Sequence, residues 1–514
     1  MDKAIKKIVI VGGGSAGWLT AGVIAAEHKI AQQQSLEITL VESPNVKTIG
    51  VGEGTWPSMR NTLDKIGITE LEFIQQCDAS FKQGSKFINW QTGKDDEFYY
   101  HPFMTPEGYS QIDLHKHWQA THSQQAFADT INSQYHVCEM GLAPKQIATP
   151  PYAAVTNYGY HLNAGKFATL LQKHCTEKLA VKHLVAHIER IVSSSSGDIE
   201  KLVTQDGQMI EGDLFIDCSG SVGLLINKHF NIPLIKQDNI LFNDCALATQ
   251  VPYFQQNNIA SATLSTAQTS GWIWDIGLPS RRGVGHTYSS AHTNDNEAEQ
   301  QLRQYIASSI GDKESEKLSV RKLAFMPGYR EKFWHKNCIA VGMSAGFIEP
   351  LEASALAMIE LSITMISEQL PQTRQQMDIT AKRFNSRFSY RWQRVIEFLK
   401  LHYVLSQRRD SDYWRDNQAA ASIPDRLAEL IELWKYQPPS RYDFIENEEV
   451  FPSASYQYVL YGMGYHTQSH QHQTLFENKQ IAEQLFAKVQ LQKQQFQQGL
   501  PTNRALINHY CQQQ

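Results

Sequence analysis

The apolar positions of the chain follow two patterns. Residues 8–11, Ile-Val-Ile-Val, form a continuous β-branched run, as in a strand covered on both faces. Gly12-Gly13-Gly14-Ser15-Ala16-Gly17 follows, and then Trp18-Leu19-Thr20-Ala21-Gly22-Val23-Ile24-Ala25-Ala26, which has helical composition. A second strand, residues 36–41, ends at Glu42 after a Gln-rich connection at 32–34. This order predicts strand, glycine turn, helix and parallel strand, a βαβ unit. Residues 99–151 are irregular and rich in His and Gln, whereas 181–192 and 202–210 alternate as strands and lead to Asp213-Leu214-Phe215-Ile216-Asp217-Cys218-Ser219-Gly220. A helix is expected to open near Pro350, the pattern stays helical after about residue 355, and the tail from Gln480 is Gln-rich and amphipathic.

Composition narrows the classes. With 514 residues, 42% hydrophobic and 19% charged, the chain has material for a large core, and its length suggests two interleaved domains. Acidic residues number 52 and basic ones 47, a net charge of −5, and no Lys/Arg run marks a nucleic-acid surface. No window of about 18 uninterrupted apolar residues offers a membrane span. The start, MDKAIKKIVIVGGG, lacks a cleavage pattern and reads as a first strand. Seven scattered cysteines without CxxC spacing fit reduced thiols, so a cytoplasmic location is expected, with no disulfide framework and no zinc site.

The glycine turn carries the first chemistry. In GxGxxG, Gly12 permits the tight turn, Gly14 lets the backbone approach a pyrophosphate, and Gly17 lets helix and strand pack closely, with Ser15 and Ala16 opening the helix. Glu42 ends the next strand, where an acid binds ribose hydroxyls. Gly50-Val51-Gly52-Glu53-Gly54-Thr55-Trp56-Pro57 is a second place for close backbone approach. A helix containing Leu71, Ile74 and Phe81 then passes into a strand through Phe81-Lys82-Gln83-Gly84-Ser85-Lys86-Phe87-Ile88-Asn89-Trp90, in which composition alone makes Lys82 a surface lysine. Trp272 and Trp274, two apart in a strand, share a face. An acid such as Glu352 in a first helical turn is favoured by the helix dipole alone. His466, His470 and His472 lack a nearby carboxylate or thiolate and read as solvated side chains, so no metal is expected.

GGGSAGW, GVGEGTWP, FKQGSKFINW, GWIWDI, AVGMSAGFIEPLEAS and LHYVLSQRRDSDYW occur in the order of a known family, from residue 1 to about 464. On these blocks the chain resembles the flavin-dependent tryptophan halogenases. The resemblance implies an α/β fold, a Rossmann-type FAD-binding domain of the flavin hydroxylase kind with a largely helical second domain. The FAD domain is expected in 1–100, 155–235 and 320–370, and the substrate region in 101–154, 236–319 and 371–514, mostly helical after 371. FAD is expected at Gly12, Gly14, Ser15, Ala16, Gly17, Glu42, Gly52, Glu53, Gly54, Val185, Gly342, Met343 and Leu356. The catalytic lysine and glutamate of the family fall on Lys82 and Glu352. Lys82 would hold hypohalous acid or form a haloamine, and Glu352 would accept the proton leaving the ring.

The halide site falls on Ser354 and Ala355, where the family has Thr-Gly, and Trp272 and Trp274 fall between flavin and substrate, followed by Gly277 where the family has Pro. His101, Phe103 and Tyr456 are expected against the substrate. The Trp-Trp pair of several free-tryptophan halogenases has no match near Phe451-Pro452-Ser453-Ala454-Ser455-Tyr456, so the expected substrate is an electron-rich, indole-like aromatic. The resemblance also implies chloride or bromide as co-substrate and a separate reductase supplying reduced FAD; a homodimer is compatible with it. The alternatives are a flavin monooxygenase that hydroxylates an aromatic substrate and a non-catalytic flavoprotein.

Overall fold

Strand Lys7–Val11 is central because both of its long edges are taken: it pairs in parallel with Glu37–Glu42 on one side and Leu214–Asp217 on the other. In the computed structural model, which describes residues 4–33, 36–46, 52–253, 257–468 and 478–512, these strands belong to a six-stranded sheet. Its order is Trp334–His335, Cys338–Ala340, Leu214–Asp217, Lys7–Val11, Glu37–Glu42, Lys182–Val185. Helix Ser15–Glu27 is apolar on all sides and is buried from Gly17 through Ala25, packed against Ser58–Ile66, Ala164–Lys178 and Ser354–Glu368. These elements lie in one unit, Met1–Ala79 with Leu162–Gln237 and Phe325–Trp392.

The second unit, Ser80–His161 with Asp238–Ala324 and Gln393–Gln514, is built on a seven-stranded sheet. The order is Arg321–Ala324, Cys245–Pro252, Arg281–Tyr288, Gly271–Gly277, Thr263–Gln268, Gly84–Ile88, Phe98–Pro102. Only the pairing of Thr263–Gln268 with Gly84–Ile88 is parallel. Alternation along Gly271–Gly277 sends Ile273 into an apolar cluster with Leu247, Val284 and Leu302 of helix Asp295–Ile310, and leaves Trp272 and Trp274 on the other face. The helices after 371 include Arg374–Val404, Asp425–Trp434, Ser453–Gly462, Lys479–Gly499 and Asn503–Gln512.

Several boundaries differ from expectation. Residues 80–100 fall in the second unit because Gly84–Ile88 and Phe98–Pro102 are strands of its sheet, and 155–161 join them through the pairing of Gly159–Asn163 with Ser80–Lys82. Residues 371–392 fall in the first unit. The helix expected to carry Phe81 ends at Cys77, where Asp78 turns left-handed at φ 51°, so Phe81 belongs to the strand Ser80–Lys82. The run 181–192 is two strands in different sheets, Lys182–Val185 and Ile188–Ser193. The helix expected from Pro350 begins at Ser354, so Glu352 lies in the preceding turn and not in a first helical turn. Six of the seven cysteines are buried, and Cys511 is exposed. No described helix is long and apolar enough to cross a membrane.

Trp274 stands opposite Gly285 in the register, and a Cβ on that glycine would lie 2.1 Å from indole Cζ2. Gly285→Ala is therefore expected to displace the indole and cost about 1–3 kcal/mol, the usual range for overpacking. A lowered urea midpoint with altered tryptophan fluorescence checks this; an unchanged midpoint would mean that the indole has room to move.

Candidate active site

At the 12–17 turn the glycines serve different ends. A Cβ on Gly12, whose φ is 118°, would sit 2.2 Å from the Cys218 carbonyl oxygen, and one on Gly17 would sit 1.9 Å from the Gly12 oxygen. Both are packing glycines. A Cβ on Gly14 would meet nothing within 4 Å. Helix Ser15–Glu27, which opens there, has no side-chain cap and no acid in its first turn, so its leading N–H groups and positive dipole end suit an anion. Gly12 to Ala16 are half-buried, between a buried strand and a buried helix.

The Glu42 carboxylate lies over the turn, close enough for a Cβ on Gly13 to clash with its Oε2, while its Oε1 is 2.7 Å from His183 Nε2. Val185 pairs beside Glu42 and is exposed. Gly342, at φ 73°, comes so close to the helix start that a Cβ there would be 2.8 Å from the Ala16 methyl. An open glycine, an uncapped helix start and an oriented acid at one sheet end fit the pyrophosphate and ribose of FAD. Among the other expected cofactor residues, Glu53 lies on strand Gly52–Gly54, where burial pushes its carboxyl up to about 7.

Glu352, also in this unit, is buried in a turn held from both sides. Its carbonyl accepts the Trp56 indole N–H at 2.8 Å, and Ala353 after it is left-handed at φ 54°. That backbone is unusual for a residue with a Cβ and aims the turn into helix Ser354–Glu368, which has no side-chain cap and no acid in its first turn. A cavity of about 50 Å³ lies at this helix start, lined by Gly342, Met343, Glu349, Ser354, Ala355 and Trp392 among others. Leu356 is buried in the packing of the same helix. Two turns along it, Glu360 accepts Ser58 Oγ at 2.9 Å and Thr62 Oγ1 at 2.5 Å, tying this helix to Ser58–Ile66. Burial raises the Glu360 carboxyl from its ordinary 4.5 to about 7, against the lowering effect of the two hydroxyls.

In the second unit Lys82 is 1% exposed, so the surface reading from composition is corrected: the strand Ser80–Lys82 runs through the interior. Its partner strand sets Gly159 opposite Lys82 and His161 opposite Ser80, which brings Lys82 and His161 to the same face. His161 is buried with Nε2 2.8 Å from Thr263 Oγ1; burial first, then the nearby Lys82, hold its imidazole well below the usual range. The Lys82 ammonium lies 5.4 Å from the centroid of the half-buried Phe103 ring. Trp272 and Trp274 are buried and meet edge to face at 6.3 Å. His101 is buried beside Phe398 at 5.6 Å, and Tyr456 is a core residue packed on Phe398, Phe444 and Trp434.

Sequence reasoning did not single out His161 or Gln134, because strand register brings the one to the face of Lys82 and a distant helix brings the other to Gln83, nor Gln83 itself, whose buried hydrogen bonds are made to residues far along the chain. His466 is exposed, with Gln119 Nε2 at 2.6 Å from its Nε2; His470 and His472 lie outside the described residues. No group of three or more metal-ligating side chains occurs among the described residues.

Fold and turn together define a Rossmann-type FAD-binding domain, and the family match and relatives that follow make the chain a flavin-dependent halogenase. The sequence profile of the tryptophan halogenase family matches residues 7–478, and the chain belongs to that family. It is 32% identical over 480 residues to the tryptophan 6-halogenase SttH of Streptomyces toxytricini, covering 89% of each chain. To the tryptophan 7-halogenase RebH of Lentzea aerocolonigenes it is 32% identical over 453 residues, 85% of this chain and 83% of that one. The crystal structure of a tryptophan halogenase from Shewanella frigidimarina superposes with a TM-score of 0.95 at 51% identity, covering 99% of this chain and 98% of that one. Membership implies use of FAD and halide.

Glu360 makes stability depend on pH in a calculable direction. Because its folded pKa is raised, the native state keeps a proton that the unfolded state releases above 4.5, so its contribution is complete below 4.5 and is lost as pH rises through about 7. Glu360→Gln removes this dependence. The variant should gain up to about 3 kcal/mol relative to wild type between pH 4.5 and 8. Urea midpoints of both proteins at the two ends of that range test it, and a constant difference would show that Glu360 does not titrate there.

Proposed function

We propose that the chain halogenates an electron-rich, indole-like aromatic through hypohalous acid. The observation that carries this reading is Lys82: a lysine 1% exposed, in an interior strand, with its ammonium 5.4 Å from a half-buried phenylalanine ring. Burying a cation is costly, so its retention there points to chemistry. Reduced FAD, when bound at the 12–17 turn, supplies the two electrons with which oxygen and halide yield hypohalous acid and water.

The protein's own groups do the rest. The uncapped helix start at Ser354 and Ala355 offers backbone N–H groups and a positive dipole end to the halide. The Lys82 ammonium donates a hydrogen bond to hypohalous acid and keeps it from diffusing free, or as the amine carries the halogen covalently. Phe103 stacks the substrate ring, and buried Trp272 and Trp274 exclude water. Ring carbon takes the halogen, the oxygen of hypohalous acid leaves as water with a proton from the Lys82 nitrogen, and the Glu352 carboxylate accepts the ring proton, which restores the lysine when released. The Trp56 bond to its carbonyl and the left-handed Ala353 orient that carboxylate. Reduced FAD is supplied by a separate reductase, as membership of the family suggests.

The test is incubation with reduced FAD, oxygen, chloride or bromide, and a panel of indoles and phenols, followed by mass spectrometry. Halogenated product supports the proposal; product carrying oxygen without halogen replaces it with hydroxylation. For the cofactor site, Gly14→Val should lower apo-protein stability by no more than the roughly 1 kcal/mol of a poorer N-cap, because a Cβ there meets nothing within 4 Å, yet weaken FAD by at least about 100-fold, roughly 2.7 kcal/mol of binding. Unchanged affinity in a fluorescence titration would reject that turn as the site.

For the reaction, Lys82→Ala should still oxidise reduced FAD and release hypohalous acid while losing directed ring halogenation. Glu352→Gln should reduce product by roughly 10²- to 10⁴-fold, the range of positioned general bases. Chromatography with a scavenger for free hypohalous acid distinguishes them. Wild-type yield of one regioisomer from Lys82→Ala would reject the lysine's role.

A further inference from the structure

We propose that a buried amide chain, Gln83 and Gln134, fixes the position of the Phe103 ring relative to Lys82 and so determines which ring carbon is halogenated. The inference rests on the role given to Lys82 above and adds two positioning residues that act through it and through Phe103.

Gln83 follows Lys82 directly and is fully buried. Its backbone N–H donates to the Ser261 carbonyl at 2.6 Å, and its carbonyl accepts the Phe103 N–H at 3.1 Å. Lysine strand and substrate-stacking residue therefore hang from one peptide. The side chain is held as firmly: Nε2 donates to the Leu142 carbonyl at 2.8 Å, and Oε1 accepts Thr156 Oγ1 at 2.6 Å and Gln134 Nε2 at 3.3 Å.

Gln134, also fully buried, continues the chain to the far side of Phe103. Its Nε2 donates to the Asn157 carbonyl at 2.6 Å, and its Oε1 accepts the Met104 N–H at 2.8 Å. Asn157 Nδ2 closes the loop by donating to the Phe103 carbonyl at 3.0 Å, while Asn132 Nδ2 donates to the Met104 carbonyl at 2.9 Å. Both backbone groups of Phe103 and of Met104 are thus engaged, the Phe103 carbonyl by the half-buried Asn157 and the other three by buried residues, although the Phe103 ring itself is half-buried. Aliphatic side chains would fill this space without amide partners, but they would place no donor or acceptor on the Phe103 and Met104 backbone.

The chemical consequence is directional. Neighbouring carbons of an indole lie closer together than a hydrogen bond is long, so a displacement of about 1 Å between Lys82 and the stacked ring offers the halogen a different carbon. Flavin oxidation needs none of these groups, since the 12–17 turn and the Ser354 helix belong to the other unit. Loss of the amide chain should therefore change product identity before it changes cofactor chemistry.

The test compares wild type, Thr156→Val, Gln134→Met and Lys82→Ala with indole, bromide, oxygen and reduced FAD, scoring regioisomers by chromatography. Thr156→Val is nearly isosteric and removes one donor to Gln83 Oε1; Gln134→Met keeps length and removes the acceptor for Met104. Both should raise the minor-isomer fraction at least about fivefold and lower kcat for product by roughly 10-fold, with FAD affinity and reduced-FAD oxidation within about twofold of wild type. Unchanged isomer ratios in a folded Thr156→Val overturn the inference, even where Gln134→Met does not fold. Regiospecific product from Lys82→Ala overturns the reading of Lys82 and the inference with it, so the two failures are told apart by that control.

Discussion

The Gly12 carbonyl stands 1.9 Å from where a side chain on Gly17 would begin, and the first unit is organised around that contact. The chain leaving the strand and the helix approach this closely only because Gly17 carries no Cβ, while the missing Cβ of Gly12 makes room for the Cys218 carbonyl. The same closeness presents the uncapped helix start at the sheet end, beside Glu42. Gly342 repeats the device from a distant segment, reaching Ala16 at a distance that any side chain would forbid. Close backbone contact thus gathers chemistry contributed by residues hundreds of positions apart.

A second constraint is that polar groups taken out of water must be paired or change their charge. Glu360 meets it by accepting two hydroxyls and by a raised pKa, which ties two helices of the first unit together. Asp275, on the sheet face opposite Trp272 and Trp274, pairs with Arg282 at 2.7 Å and Tyr305 at 3.1 Å. Around Lys82 the solution is an amide chain that satisfies itself while leaving the ammonium near an aromatic ring. These buried polar groups tie the segments around them together through directed hydrogen bonds.

What could be read along the chain was local. The β-branched run, the glycine turn and the small-residue helix follow from neighbours within a few positions, and their structure agrees with them. The helix start at 350 was displaced to Ser354 because Ala353 takes a left-handed backbone that no periodicity encodes. The apolar spacing of the helix Glu70–Cys77 continues to Phe81, yet Asp78 ends that helix with one left-handed residue. Lys82 looked like a surface residue because composition carries no record of depth.

By itself the sequence determined the parallel sheet, the dinucleotide turn and the acid at its edge, since each rests on propensities and spacings confined to a short window. Only the tertiary structure decided which polar residues gather at Lys82 and at its neighbour Gln83. His161 reaches its face through antiparallel register, Gln134 through a helix some fifty positions away, and Thr156 through the loop before the next strand. Such partners are selected by the need to satisfy buried hydrogen bonds in three dimensions, a requirement that leaves no periodic trace along a single chain.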